Sequence, residues 1–365
     1  MNLISKRLCL LLAAMLLYPV ASSAQAVSAM KLLTPTTGWV QSNLYHLYWT
    51  TDEGAHWKEI TPPKSPQEFL TGVFFLDSSS GWAVLVHGDD QELAQFRVAS
   101  TRDAGASWSV SPIRFPGKRM ADDYAGGANV FFLDQLHGWI KVDRKSSSAF
   151  AIGDLLVSDD GGKTWKFPLG DSGEAGYLCF FSLNDGLLAG GVDSSELWAT
   201  HDGSKTWQQL SLKAPTAIAP AEFPTFGRPQ CGPGKTGFLP VTYSGPDSAK
   251  SALVLLSSDD AGRTWKPSVT LSQLDETSQG QMVSSAVCGS SLIAATRSSG
   301  EVTLTVLSPA SDMKRIVLNS FKEIPDLSFA DLSHGWASTH SGLLATSDGG
   351  VSWTVITPAK TGPLP

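Results

Sequence analysis

Apolar residues in this chain fall into short runs, each closed by a polar turn, and nothing follows the three-to-four spacing of a long amphipathic helix. One arrangement recurs: a hydrophobic run, a polar turn, then Gly-Trp. It is clearest at Val73 to Trp82 and Val130 to Trp139, and Leu327 to Trp336 repeats it. Thr37-Gly38-Trp39 is a shortened copy, and Cys179 to Leu187 and Cys231 to Phe238 are weaker ones. A second recurrent element is the eight-residue box Ser/Thr-x-Asp-x-Gly-x-x-Trp, found at Thr50–Trp57, Thr101–Trp108, Ser158–Trp165, Thr200–Trp207, Ser258–Trp265 and Thr346–Trp353. In the fourth copy Ser204 stands where the others have Gly. The composition of the box predicts a hairpin turn. Its Asp accepts backbone N–H groups, Gly takes a positive φ, and Trp folds back as a plug.

The two elements are in phase. Ten of the twelve tryptophans lie in a Gly-Trp pair or at the end of a box, which marks a repeat array. Box aspartates Asp52, Asp103, Asp160, Asp202, Asp260 and Asp348 are separated by 51, 57, 42, 58 and 88 residues. The last gap leaves room for a repeat that has lost its box, with strands expected at 282–287, 291–296 and 301–307. Seven units result, each of four short strands, which predicts an all-β, seven-bladed β-propeller of antiparallel blades. Blades are expected near 31–68, 69–126, 127–174, 175–222, 223–275, 276–320 and 321–365, within one domain over 27–365. Boxes and Gly-Trp turns both join an odd strand of a blade to the next even one, so they share one face of the disc. From the second residue of the Gly-Trp pair to the box Asp runs 12 to 22 residues. Variable loops are therefore expected on the opposite face, where a rigid scaffold would carry a binding surface.

Residues 1–26 read as a secretory signal: Lys6 and Arg7, an apolar run from Leu8 to Leu17, then Ala24-Gln25-Ala26. An exported protein, periplasmic or secreted and with no membrane span after processing, is the expectation. Removal of that segment leaves 25 basic side chains against 34 acidic, a net of −9. Such a surface disfavours nucleic acid. Cys179, Cys231 and Cys288 remain. Cys179 and Cys231 fall at similar points of successive repeats, which admits either a disulfide or two buried thiols.

The box resembles the Asp-box, or bacterial neuraminidase repeat, over about 38–353. Bearers of that repeat include sialidases, xyloglucan-cleaving glycosidases, sortilin-type receptors and photosystem II assembly and stability factors. Blade number, length, export signal and the Phe-x-Asp-x-x-x-Gly-Trp hairpin are most similar to the last group. The resemblance implies a non-enzymatic scaffold that binds an envelope protein. An arginine-rich patch meets the client in that group, and this chain has few arginines. Its other bearers imply the alternative, a glycan-acting enzyme or a lectin-like module.

A sialidase needs three arginines, with Tyr and Glu. Only nine arginines follow the signal, and Arg102 and Arg263 sit inside boxes, on the wrong face. A two-carboxylate glycosidase would draw on Asp89, Asp90, Glu92, Asp122, Asp123, Glu222 or Asp247, of which the pair Asp122 and Asp123 is best placed. The seven histidines show no metal-ligand spacing, so no metal and no cofactor are expected. His137 and His334 share the slot before Gly-Trp, which suits a turn. Arg114, Lys118, Arg119 and Tyr124 in one long loop, with Asp143, Arg144 and Lys145 in the next blade, form the candidate contact surface. Its expected partner is a protein or a glycan, bound by a monomer.

Overall fold

A computed structural model describes residues 27–87, 95–115, 124–144, 152–168, 173–216, 223–244, 251–274, 284–298, 300–308, 311–323, 325–340 and 342–356. The strands form seven antiparallel sheets that follow one another along the chain. Blade 1 holds β1 (Val27–Leu32), β2 (Gly38–Ser42), β3 (His46–Thr50) and β4 (Lys58–Glu59). Blade 2 holds β5 (Glu68–Phe75), β6 (Gly81–His87), β7 (Gln95–Thr101) and β8 (Ser109–Pro112). Blade 3 has β9 (Tyr124–Phe132), β10 (Gly138–Arg144) and β11 (Ile152–Ser158), with two isolated bridges, Val157 to Lys166 and Ile152 to Glu174, where a fourth strand would run. Blade 4 holds β12 (Gly176–Phe180), β13 (Gly186–Gly190), β14 (Glu196–Thr200) and β15 (Gln208–Gln209).

In blade 5 the inner strand is split into β16 (Phe223–Phe226) and β17 (Gln230–Cys231), both paired with β18 (Gly237–Ser244), ahead of β19 (Ser251–Ser258) and β20 (Lys266–Leu274). Blade 6 is the repeat without a box: β21 (Ser284–Cys288), β22 (Ser291–Ser298), β23 (Glu301–Ser308) and β24 (Ser311–Val317). Blade 7 ends the array with β25 (Asp326–Phe329), β26 (Gly335–Thr339), β27 (Gly342–Thr346) and β28 (Thr354–Val355). The seven-bladed, all-β architecture is the one the repeat predicts. β1 starts ahead of the blade edge expected at 31, and β9 ahead of the one at 127. Among the described residues no helix is long and apolar enough to cross a membrane.

Every box has the same anatomy. Its first hydroxyl donates to the Asp and accepts the amide four residues on, as in Ser158 to Asp160 (2.9 Å) and Gly162 to Ser158 (2.9 Å). The Asp carboxylate then accepts both the amide and the side chain of the seventh residue, as from Thr164 at 2.9 and 2.6 Å. Ser107, Thr206, Thr264 and Ser352 repeat this, and His56 does so with its ring. That seventh position, Ser, Thr or His, is an element the eight-residue pattern left open. The fifth residue has positive φ in all six copies, including Ser204 at 70°. A side chain there strains the backbone, and Ser204 offsets this by accepting Trp139 Nε1 of the preceding blade at 3.1 Å.

Immediately after each box Asp, one amide bonds to the Gly-Trp hairpin of the same blade. Glu53 donates to Thr36, Ala104 to Ser79, Gly161 to Leu136, Gly203 to Asn184, Ala261 to Lys235 and Gly349 to Ser333, at 2.8–3.1 Å. In register, the Gly of each pair lies between the last inner-strand residue and the first box residue: Gly81 faces both Phe75 and Thr101, and Gly138 both Phe132 and Ser158. Boxes and hairpins therefore occupy one face.

Blades are joined by aromatic packing. Trp82 of blade 2 stacks on Phe132 of blade 3 at 3.6 Å and donates to Gly161 O at 2.8 Å, and Trp139 stacks on Phe180 of blade 4 at 3.7 Å. Phe132 in turn lies flat over Gly138, where a Cβ would come within 2.4 Å of the ring, so only glycine fits. At the next junction both partners are missing, Leu187 replacing Trp and Cys231 replacing Phe. There a disulfide joins Cys179 to Cys231 across the two inner strands. The ring closes through Trp336 against Trp57 (5.7 Å) and through Leu32 N, which donates to Ser328 Oγ at 2.8 Å.

Trp82→Ala should cost about 3–5 kcal/mol in chemical denaturation, because it removes a fully buried ring and a blade-to-blade bond; a loss under about 1 kcal/mol would contradict the packing. The hydroxyl of the seventh residue, then its amide, hold Asp103, Asp202, Asp260 and Asp348 at about 2 against an ordinary 3.8. Depressed folded-state values stabilise the fold above about pH 4, and that contribution is lost as pH falls toward 2. Acid titration followed by Trp fluorescence should show stability declining across this window. Constant stability down to pH 2 would contradict it.

Candidate functional site

The face opposite the boxes is where the predicted contact residues lie, as far as they fall among the described ones. Arg114 is exposed just beyond β8. Its neighbour Ile113 bonds to Phe96 O at 2.7 Å, near the end of β7 remote from the box. Phe115 packs between Phe96 (5.4 Å) and Phe167 (5.5 Å), which sets Arg114 at the seam of blades 2 and 3. Arg144 ends β10, directly across from Tyr124 on β9 and Ile152 on β11. Its Nη1 is 3.8 Å from Asp154, and its Nε is buried without an acceptor. Thus Tyr124 and Arg144 meet in register. Lys118, Arg119, Lys145 and the candidate acids Asp89, Asp90, Glu92, Asp122, Asp123, Glu222 and Asp247 lie outside the described residues.

Beneath Arg144 the second strand of blade 3 carries a charged pair. Lys141 is fully buried, and Asp143 is half-buried. Burial pushes the Asp143 carboxyl up, while Lys141 pulls it down. The surroundings are shaped for them: a Cβ on Gly127 would come within 2.3 Å of Asp143 Oδ2, and one on Gly153 within 3.1 Å of Lys141 Cε.

A second constellation gathers where the inner strands converge. Arg228 lies between β16 and β17, in Gly227-Arg228-Pro229. Gly227 N bonds to Pro240 O at 2.8 Å. Pro240 has no N–H to return, and Pro229 has none for the ladder, so the strand breaks and Arg228 leaves it. Its guanidinium lies 5.4 Å from the Tyr177 ring of blade 4. Asp326 of blade 7 is within its electrostatic reach, as is Lys31 of blade 1, which also interacts with Cys288 of blade 6. Blades 5 and 7, or 1 and 6, are not neighbours. Side chains from such blades meet only across the central channel. Arg228 is exposed and Lys31 half-buried, as side chains would be that line a water-filled channel.

Enclosure lowers the affinity of both groups for their protons. It pushes the Cys288 thiol up to about 11, with Lys31 opposing, so this thiol is protonated and unreactive at neutral pH. Burial also raises Asp326, and Arg228 opposes. Sequence reasoning missed this group, although two prolines and a glycine in a strand position are a signal for a break.

Arginines inside the boxes serve the scaffold. Arg102 donates to Gln135 O of blade 3 at 2.9 Å, and Arg263 pairs with Asp185 of blade 4. Arg97 grips Glu68 within blade 2. His137 and His334 each bond to the Asp three residues before, Asp134 and Asp331. Among the described residues no three His, Cys, Asp or Glu side chains gather as a metal site requires.

No protein-family model and no curated protein matches the sequence. Solved structures do. The GH74 xyloglucanase of Xanthomonas campestris is 13% identical with a TM-score of 0.60 over 92% of this chain and 55% of its own. An ancestral GH74 enzyme is 12% identical with a TM-score of 0.56, over 93% of this chain and 48% of its own. YCF48, solved bound to a D1 peptide, is 16% identical with a TM-score of 0.53, over 94% of this chain and 95% of its own. The chain thus spans about half the length of the GH74 enzymes. At these identities the likeness establishes the propeller fold.

Lys141→Met should cost about 3–5 kcal/mol, since it leaves Asp143 enclosed without its counter-charge. Adding Asp143→Asn, which keeps the shape and removes the charge, should recover part of that loss in a double-mutant cycle. Strict additivity would show that the two do not interact.

Proposed function

We propose that this protein is an exported, non-catalytic propeller that holds a protein partner against the face opposite its boxes, in the manner of an assembly or stability factor of the cell envelope. The observation that carries the reading is the division of labour between faces. Box-face arginines and aspartates are committed to bonds within and between blades, whereas on the other face Arg114 is exposed and Arg144 is partly exposed, 3.8 Å from Asp154. Rigid blades present those groups with little ordering cost on binding. YCF48, 95% of whose length is covered by the match, was solved bound to a D1 peptide, which supports this reading.

The second reading is a glycan-acting enzyme or lectin-like module, and the GH74 likeness supports it. Asp143 and Asp326 are described carboxylates that burial holds toward the protonated form, as a general acid would need.

Two measurements separate the readings. A photoreactive amino acid at Arg114 should crosslink an envelope protein in the exporting cell, and Arg144→Glu should reduce that product at least fivefold. The same group at exposed Val351, in the last box, should give none. Equal crosslinking from both faces would contradict the proposal. So would saturable turnover of xyloglucan or sialosides that is lost in the Asp122→Ala, Asp123→Ala double variant.

A further inference from the structure

The outermost strand of a blade leaves alternate N–H and C=O groups without a partner, and a long, straight edge of this kind recruits another strand. In blades 1, 4 and 7 that strand is two residues long, in blade 2 it is four residues closing on Pro112, and in blade 3 it is reduced to isolated bridges. β20 of blade 5 is longer, but Pro267 stands in it and its register shifts twice. β24 of the box-less blade 6 differs. It has seven residues and no proline, it pairs with β23 without a shift from Lys314 to Val317, and it is the last strand of its sheet. Leu318 N bonds to Val302 O at 2.8 Å, which fixes the parity of the ladder. Leu318, Ile316 and Lys314 bond inward to β23, and the backbone groups of Met313, Arg315 and Val317 point out of the sheet. Ile316 and Leu318 pack in the core shared with blade 7, so the outward set carries the side chains of the opposite face. Met313 and Val317 are 43% and 42% exposed, and Arg315 is exposed between them, with exposed Lys314 beside it.

We propose that β24 accepts an extended segment of a partner protein as a fifth strand of blade 6, and that this segment alternates apolar, acidic and apolar residues. Backbone pairing with the three outward residues supplies the affinity, and alternate side chains supply the choice. Laid antiparallel, the partner's residues stand directly opposite Met313, Arg315 and Val317. A carboxylate then meets the guanidinium, whose planar fork matches its two oxygens, while apolar side chains cover Met313 and Val317. Lys314 adds a second cation at this edge, in a chain whose net charge is −7. An acidic segment is therefore drawn to this strand and repelled by the surface at large. A second copy of the chain is the poorer occupant. Centred so that 313–317 are all used, it would set Arg315 against its own twin, and like charges directly opposite destabilise a strand pair. The edge lies at the rim of the disc and stands independently of the reading proposed for the face opposite the boxes.

The probe is a short capped peptide with Val, Glu and Val at alternate positions between Thr residues, offered to the whole protein beside two relatives. One relative carries Lys for Glu, and the other is N-methylated on the backbone amides that would pair. Saturable binding of the Glu peptide is expected by calorimetry, several-fold weaker binding of the Lys peptide, and none of the N-methylated one. Hydrogen exchange should slow at the amides of Met313, Arg315 and Val317 when the Glu peptide is added. Arg315→Glu, an exposed change whose fold circular dichroism checks, should reverse the preference so that the Lys peptide binds better. Failure of the Glu peptide to bind would overturn the proposal, as would equal binding of all three peptides or binding that leaves the three amides exchanging as before. Protection of those amides without peptide, rising with protein concentration, would give the edge to a second copy and also overturn it.

Discussion

A single hydrogen bond, from the amide after each box aspartate to the Gly-Trp hairpin of its own blade, ties the outer half of a blade to its inner half. It is made six times, from Glu53, Ala104, Gly161, Gly203, Ala261 and Gly349. Each such amide follows an aspartate whose carboxylate is occupied within the turn, so the turn is rigid before it reaches the hairpin. The fixed hairpin then presents its tryptophan to the next blade. Trp82 on Phe132 and Trp139 on Phe180 follow from that placement. One such bond nets only about 1 kcal/mol; its repetition around the ring gives the disc its stiffness.

Departures from the repeat show what the constraint does. Between blades 4 and 5 the stacking partners are lost, and a disulfide joins the inner strands instead. A cross-link over a separation of 52 residues constrains the unfolded chain by about 4 kcal/mol. Blade 6 has no box, yet it keeps four paired strands and packs Ile293, Leu304 and Phe329 in one core with blade 7. Ser204 tolerates a left-handed backbone because its hydroxyl receives the ring N–H of Trp139. Packing and covalent linkage thus substitute for the turn where it is absent or imperfect.

Much of this architecture was legible in the sequence because the repeat is periodic and chemically conspicuous. Spacing between Asp260 and Asp348 located the blade that lacks a box, and its strands begin within a few residues of those expected. The channel group was not legible, for a physical reason. Arg228 leaves its strand where Gly227 meets Pro240 across the pair and Pro229 has no N–H for the ladder, and that pairing is set by register. Lys31 meets Arg228 only once seven blades have closed into a ring. Position seven of the box was passed over because Ser, Thr and His look unlike, although all donate to the same carboxylate. Of the contact surface read from sequence, Arg114, Tyr124 and Arg144 fall on the face opposite the boxes, and the remaining loop residues lie outside the described ones.

Native-state hydrogen exchange at the six amides that follow the box aspartates measures the central constraint directly. These amides lie in turns at the rim of the disc, where ordinary loop amides open locally. The account predicts that they exchange only through global unfolding, as slowly as the core amides of Val84 and Leu239. Exchange at the rate of exposed loops, with the core still protected, would contradict the claim that the box-to-hairpin bond holds the blades together.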